Sequence, residues 1–440
     1  MKIRNLETLA TTPIRRVALE IAEKGLEAID TALVLEKSLS IGKHSITVCG
    51  KEYPLSPNGK LITICIGKCA AEAAFAFEKI LGSRISFGVA LGVGEVGHLQ
   101  NQPLKKIKYY AGTHPMPSEA NIIGTKALLD SLTKLSAEDT VLFLISGGGS
   151  TLLAQPACVP GDIRELLKLL EEEKVMIADL FKTGATIQEI NTVRKHMSLA
   201  RGGFLAEKAY PAQIISIIFS DVPRNDIGFV SSGPTVKDTS LISDAEAVIK
   251  KYKLKISSEC LTETPKDDSF FAKVYNILAV SNESALFQMK KAGEELGFAV
   301  EIKNKSLTGE ARDVAKALAK EINSAQAGTI FLYSGETTVT VRTPGRGGRN
   351  QELALAALPH LEENRIVLSL ASDGHDNGPH AGALADMELA KMAKEKGVNP
   401  HDSLKNNDSS NFFETVGGLI ETGDTGSNVS DLMIAISGKL

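Results

Sequence analysis

Short continuous apolar runs alternate along this chain with stretches whose apolar positions recur at helical spacing. The runs at residues 61–66, 141–145, 212–219 and 366–371 are too short for core helices and read as strands buried on both faces. Between them, residues 13–32 set Val17, Ile21, Gly25, Leu26 and Ile29 on one face, which predicts an amphipathic helix. Further helices are expected at 69–81, from the cap Ser118 to about 135, at 162–173 and at 186–208. The second half restarts the alternation, with strands at 276–281, 299–303 and 329–333, and helices at 283–296, 310–324 and from about Asn350. A strand at 337–341 would close a hairpin over Ser334, Gly335 and Glu336 and make that sheet mixed. The pattern loosens after Asp238. We therefore expect two α/β domains, residues 1–240 and 241–440, with the N-terminal helix free to pack on the second.

The punctuation of these strands carries the chemistry. Residues 141–145 run into Ser146, Gly147, Gly148, Gly149 and Ser150. Three adjacent glycines are costly to order, so they are kept where φ is positive or a ligand comes close; a tight turn is the plain reading, a cradle of amides for phosphate the functional one. Lys68 follows the strand at 61–66 in the first turn of a helix, where the dipole disfavours a cation. It is either solvated or set to meet an anion. Asp221 and Asp373 each stand just past a buried strand, a position suited to capping, to metal or to proton work. Arg194 and His196, with Arg201 two turns on, give one helix a basic face that serves solvent or an oxyanion. Arg349 ends a glycine-rich turn, and a guanidinium fork fits carboxylate and phosphate well.

Gly92, Gly94 and Gly97 spell GxGxxG, but Pro103 and a second strand-like run follow where the dinucleotide fingerprint needs a helix. We read a flexible loop there, against a nicotinamide cofactor. His114 sits in a Pro-rich turn and reads as structural.

Charge names no partner: 49 basic and 53 acidic residues are mixed along 440, for a net charge of −4, so neither nucleic acid nor a membrane surface is indicated. Five cysteines, an odd number without a CxxC pair, suggest free thiols in a reducing, cytoplasmic setting. No apolar stretch is long enough to span a bilayer.

Nine segments in order, among them IGKCAAEAA, LFLISGGGSTLL, EINTVRKHMSLARGGFLA, FSDVPRNDIGFVSSGPT, GETTVTVRTPGRGGRNQELAL, ASDGHDNGPHAGA and TGDTGSNVSDL, resemble the glycerate 2-kinases, whose C-terminal region is called MOFRL. The resemblance spans nearly the whole chain. It implies two three-layer α/β/α domains, the first Rossmann-like with a mainly parallel sheet and the second with a mixed sheet, and an active site in the cleft between them. It also implies transfer of phosphate from ATP, with a divalent cation such as Mg²⁺, to the 2-hydroxyl of D-glycerate. A homodimer is the oligomer we would look for. Carried over residue by residue, Lys68, Asp221, Arg349 and Asp373 are catalytic candidates and Ser146 to Ser150 hold nucleotide phosphates; Arg194 and His196, on the basic helix face, are the residues expected to bind substrate. One aspartate activates the hydroxyl and the other helps place the metal; which does which stays open. Arg201 stands where the family commonly has lysine, and Asp376 lies in a loop that fits the pattern loosely. Two other readings are a hydroxypyruvate reductase and a non-catalytic sensor of sugar acids or phosphates.

Overall fold

The computed structural model describes residues 1–95, 103–158, 163–255 and 260–439. The chain divides into a continuous unit, Val34–Ala279, and a discontinuous one, Met1–Leu33 with Val280–Leu440. The boundary thus falls at 279/280 rather than near 240. The helix Ile242–Tyr252 keeps this stretch in the continuous unit, because its Val248 shares an apolar cluster with Ile190 and Val193 of the helix Ile187–His196.

The continuous unit starts with a small antiparallel sheet, β1 (Leu39–Ile41), β2 (Ser45–Val48) and β3 (Lys51–Pro54). Its main sheet comprises β4 (Leu61–Ile66), β5 (Ile85–Val93), β6 (Ile107–Gly112), β7 (Thr140–Ile145), β8 (Gln213–Phe219) and β9 (Val274–Val280), in the order β6-β5-β4-β7-β8-β9. From β6 through β8 the pairing is parallel. Every residue of β4 and β7 is buried, which explains their unbroken apolar sequence. The chain lays down β5 and β6 on one side of β4 and then returns to set β7 on the other. The carboxyl ends of β4 and β7 therefore flank the point where the winding reverses, the usual ligand crevice of such sheets. In register, Ile66 lies beside Ile145 and Ile145 beside Ile218, so the segments leaving β4, β7 and β8 emerge side by side.

The discontinuous unit holds β10 (Ala299–Leu307), β11 (Thr329–Gly335), β12 (Arg365–Ala371), β13 (Gly382–Asp386), β14 (Leu419–Ile420) and β15 (Asp431–Ser437), in the order β10-β11-β15-β12-β13-β14. Only β10 and β11 run parallel, so the sheet is mixed. The mixing does not come from the expected hairpin. Beyond Gly335 the chain makes one isolated bridge, Thr338 to Glu310, and β15 inserts antiparallel between β11 and β12 instead.

Three local expectations change. The helix expected over 186–208 is two helices, Ile187–His196 and Phe204–Ala209: after the first ends, Ser198 bridges to Pro156, and Gly203, with φ of +93°, caps the start of the second. Gly92 lies within β5, packed against the Tyr109 ring, while Gly97 lies outside the described residues. Cys158 and Cys260, 102 residues apart in sequence, form a disulfide with Cα atoms 4.6 Å apart, in place of free thiols; Cys49, Cys65 and Cys69 form no disulfide. Among the described residues no helix is long and apolar enough to cross a membrane.

Candidate functional site

In the continuous unit the loop after β7 is fixed by the loops after β4 and β8. Ser146 Oγ accepts from Cys69 N (3.1 Å), its carbonyl accepts from Ser231 Oγ (2.6 Å), and Lys68 N donates to the Gly147 carbonyl (2.9 Å). Ser150 Oγ lies 2.8 Å from Ser232 Oγ, which donates to Asn191 at 2.8 Å. Gly148 has φ of +87°, and a Cβ there would stand 3.3 Å from Lys68 Cγ and 3.5 Å from His114 Cδ2. Lys68, the glycine loop and His114 therefore share one spot, although the turn around His114 reads as purely structural in sequence. The N–H groups of Gly147, Gly148, Gly149 and Ser150 donate to no acceptor among the described residues. Buried amides are seldom left so, and a row of them is an acceptor site for an anion.

Asp221 leaves β8 beside this loop. Four non-glycine residues that follow, Arg224, Asn225, Ser231 and Ser232, hold positive φ between 52° and 63°. Such strain collects at sites whose geometry is imposed by the surroundings.

A cavity of about 250 Å³ opens next to Ser150 and Thr151, lined also by Arg194, Arg201, Glu173 and apolar side chains of the helix Ile163–Lys182. The two arginines do not share a helical face as the sequence suggests. Arg201 lies past the helix end, buried, and comes back to Arg194 through a hydrogen bond to its carbonyl (3.3 Å) and an ion pair with Glu173 (2.6 Å). Arg194 makes no ion pair among the described residues. Burial first, then repulsion from Arg201, pulls its guanidinium down to about 10. His196 points elsewhere: it is fully buried, its Nδ1 2.8 Å from the Thr262 carbonyl and its Nε2 3.2 Å from Ser240 Oγ. Its surroundings make it a core histidine, separate from the cavity that Arg194 lines.

In the discontinuous unit, β15 starts where β11 and β12 end, so Asp431 pairs in register with both Gly335 and Ala371. Arg349, first residue of the helix Arg349–Ala357, forks onto Asp431 and reaches Glu336 with Nη1 at 3.0 Å. Burial by itself would lower the Arg349 pKa, but the hydrogen bonds and charge of Asp431 raise it overall. Burial pushes Asp431 up to about 6, and Arg349 offsets only part of that. The guanidinium is thus already engaged, and Asp431 is the partner that sequence reasoning missed.

Asp376 accepts from the N–H groups of Asn350 (3.0 Å) and Gln351 (2.8 Å), capping the same helix from a buried position that raises its pKa. Asp373 follows β12; its carboxylate accepts from His375 N (3.1 Å) and its carbonyl from Thr425 N (3.2 Å). Thr425 Oγ1 and the N–H of Val429 hold Ser372 at 2.6 and 2.9 Å, so the 422–430 loop buttresses the strand end that carries Asp373. Among the described residues no three His, Cys, Asp or Glu side chains cluster as a metal cage. Magnesium arriving on a nucleotide asks less of the protein, one or two carboxylates with phosphates and water completing the shell. Asp221 and Asp373 are of the right type and placing on their own strand ends.

Strand-end lysine, glycine amides and carboxylates on doubly wound and mixed sheets define an α/β enzyme of the phosphotransferase class. Residues 17–263 match the domain of unknown function DUF4147, and residues 329–431 match the MOFRL family. The chain is 36% identical to a D-glycerate 2-kinase of Thermotoga maritima, over 96% of this chain and 98% of that protein, and 34% identical to a glycerate 2-kinase of Pyrococcus horikoshii, over 96% and 97%. A crystal structure of a glycerate kinase from Thermotoga maritima superposes with a TM-score of 0.82 at 34% identity, covering 96% of this chain and 99% of that one. The chain belongs to the glycerate 2-kinase family.

Proposed function

We propose that this enzyme transfers the γ-phosphoryl group of ATP, bound with Mg²⁺, to the 2-hydroxyl of D-glycerate. The observation that carries the reading is the row of unbonded amides at Gly147 to Ser150, beside Lys68 and next to the cavity that holds Arg194. On this reading the amides and the Lys68 ammonium take the donor phosphates, offsetting the charge that spreads over the transferring group. Arg194 receives the carboxylate of glycerate: a half-buried guanidinium that makes no ion pair among the described residues is a strong, geometrically selective donor to one. Mg²⁺ supplies charge neutralisation at the phosphates when bound. Of Asp221 and Asp373, one orients or deprotonates the 2-hydroxyl and the other joins the metal shell. Arg349 acts through Asp431, holding the helix start and strand end in register, and His196 supports the fold around Arg194.

The test is an ADP-release assay with D-glycerate, ATP and Mg²⁺, the product resolved by ³¹P NMR as 2- or 3-phosphoglycerate. We expect 2-phosphoglycerate. Reduced cofactor from D-glycerate and NAD(P)⁺, with no ADP formed in the ATP arm, overturns the reading in favour of a reductase; binding without any turnover favours a sensor. Arg194→Gln should raise the KM for glycerate at least tenfold and leave the KM for ATP within about twofold.

A further inference from the structure

One large cavity has no part in the chemistry above. It lies within the discontinuous unit, about 1030 Å³ in volume, beside the carboxyl end of the helix Arg349–Ala357. Arg349 begins that helix, and Leu358, on the cavity wall, lies nine residues further on, roughly 13 Å along the axis at 1.5 Å per residue. Every formally charged side chain on the wall is basic: Arg312, Lys316, Arg342, Lys394 and Lys405. That is a one-sided selection in a chain whose acids outnumber its bases 53 to 49. Arg312 is engaged by Glu352 at 2.6 Å and Lys316 lies near Asp313, but Arg342, Lys394 and Lys405 form no ion pair among the described residues. Thr343 Oγ1, also on the wall, is buried with no hydrogen-bond partner. The floor is apolar, formed by Ala356, Leu358, Ala393 and Leu404.

We infer that this cavity binds a small organic anion, one carrying phosphate, sulfonate or carboxylate groups on an apolar body. Cations concentrated around a concave, low-dielectric floor focus their potential on the space between them, and the floor gives an apolar body somewhere to leave water. The volume exceeds what a bare inorganic anion fills and matches a drug-sized ligand. Unpaired cations at the rim and an unmet hydroxyl at the wall are the polar contacts that would orient it. The inference stands independently of the kinase reading, since no residue on this wall belongs to the proposed site.

The probe is 1-anilinonaphthalene-8-sulfonate, titrated by fluorescence into the full chain. Saturable binding is expected, weakened at least tenfold in Arg342→Glu/Lys394→Glu, whose two positions are exposed and tolerate the change. Ala390→Trp, at the half-buried rim, should weaken it as much through volume alone, with the melting temperature of each variant confirming that it is folded. Affinity within twofold of the parent in the folded charge-reversal variant overturns the inference. Equal affinity for the uncharged analogue N-phenyl-1-naphthylamine overturns the anionic character assigned to the ligand.

Discussion

Arg349 grips Asp431 with one edge of its guanidinium, Nε to Oδ2 at 2.6 Å and Nη2 to Oδ1 at 2.9 Å. Removing the arginine leaves a carboxylate buried at the head of β15 with no counter-charge. Breaking such a pair costs about 2–4 kcal/mol, toward the lower end because Arg349 keeps some exposure to water. Arg349→Ala should lose that much stability in urea unfolding, and a loss below about 0.5 kcal/mol would contradict the role given to the fork. Arg349→Lys, able to make a single contact, should fall in between.

The same pair sets a pH dependence with opposite signs for activity and stability. Burial lifts Asp431 from its ordinary 3.8 to about 6. Between those values the folded chain holds a proton that the unfolded chain has released, so this group's contribution to stability falls as pH rises through the window. Turnover should do the reverse, declining below about pH 6 as protonation loosens the hold on Arg349. In Asp431→Asn the acid limb of the kcat profile should flatten; an unchanged limb assigns it to another group.

At Gly148 the left-handed backbone and the nearness of Lys68 act together. Gly148→Ala should cost about 1–2 kcal/mol for the positive φ, and the new methyl group should displace the lysine stem. We expect the KM for ATP to rise at least tenfold, while far-UV circular dichroism stays that of the parent. A variant with parental ATP kinetics would remove the glycine loop from nucleotide binding.

His375 tests the loop that carries Asp373. Partial burial lowers its pKa, but the Asp424 carboxylate 2.5 Å from Nε2 and the Gly378 carbonyl raise it above 6.5 overall. An NMR titration should place the imidazole's midpoint above its ordinary 6.5. Asp424→Asn should bring its midpoint down; no movement would place Asp424 away from the ring in solution.

The buried strands were legible because an unbroken apolar run such as Thr140–Ile145 has few alternatives, and the hydroxyls and glycines after it marked a site. Lys68 and the glycine loop were visible for the same local reason. Arg194 and Arg201 were misplaced because a helical period was carried past His196, where the first helix ends. Asp431 was hidden by topology: one acid ahead of an apolar run looks like a turn residue, and only the insertion of β15 between β11 and β12 puts it opposite Arg349. Likewise nothing local links Cys158 to Cys260 across 102 residues. The trace that existed for Asp431 was its place in the TGDTGSNVSDL segment, which carries more polar residues than a simple turn requires.

The position of β15 also bears on how the molecule is made. During synthesis the ribosome delivers residues 34–279 as one uninterrupted stretch, and the sheet they form can close while translation continues. The other sheet must wait, because the strand at its centre, Asp431–Ser437, emerges after the other five strands of that sheet, and β11 and β12 have no strand to share before then. Until that moment β11 and β12 present open edges, and Arg349 has no Asp431 to hold. The nascent protein therefore passes through a half-built stage in which the edges of β11 and β12 are exposed to misassociation.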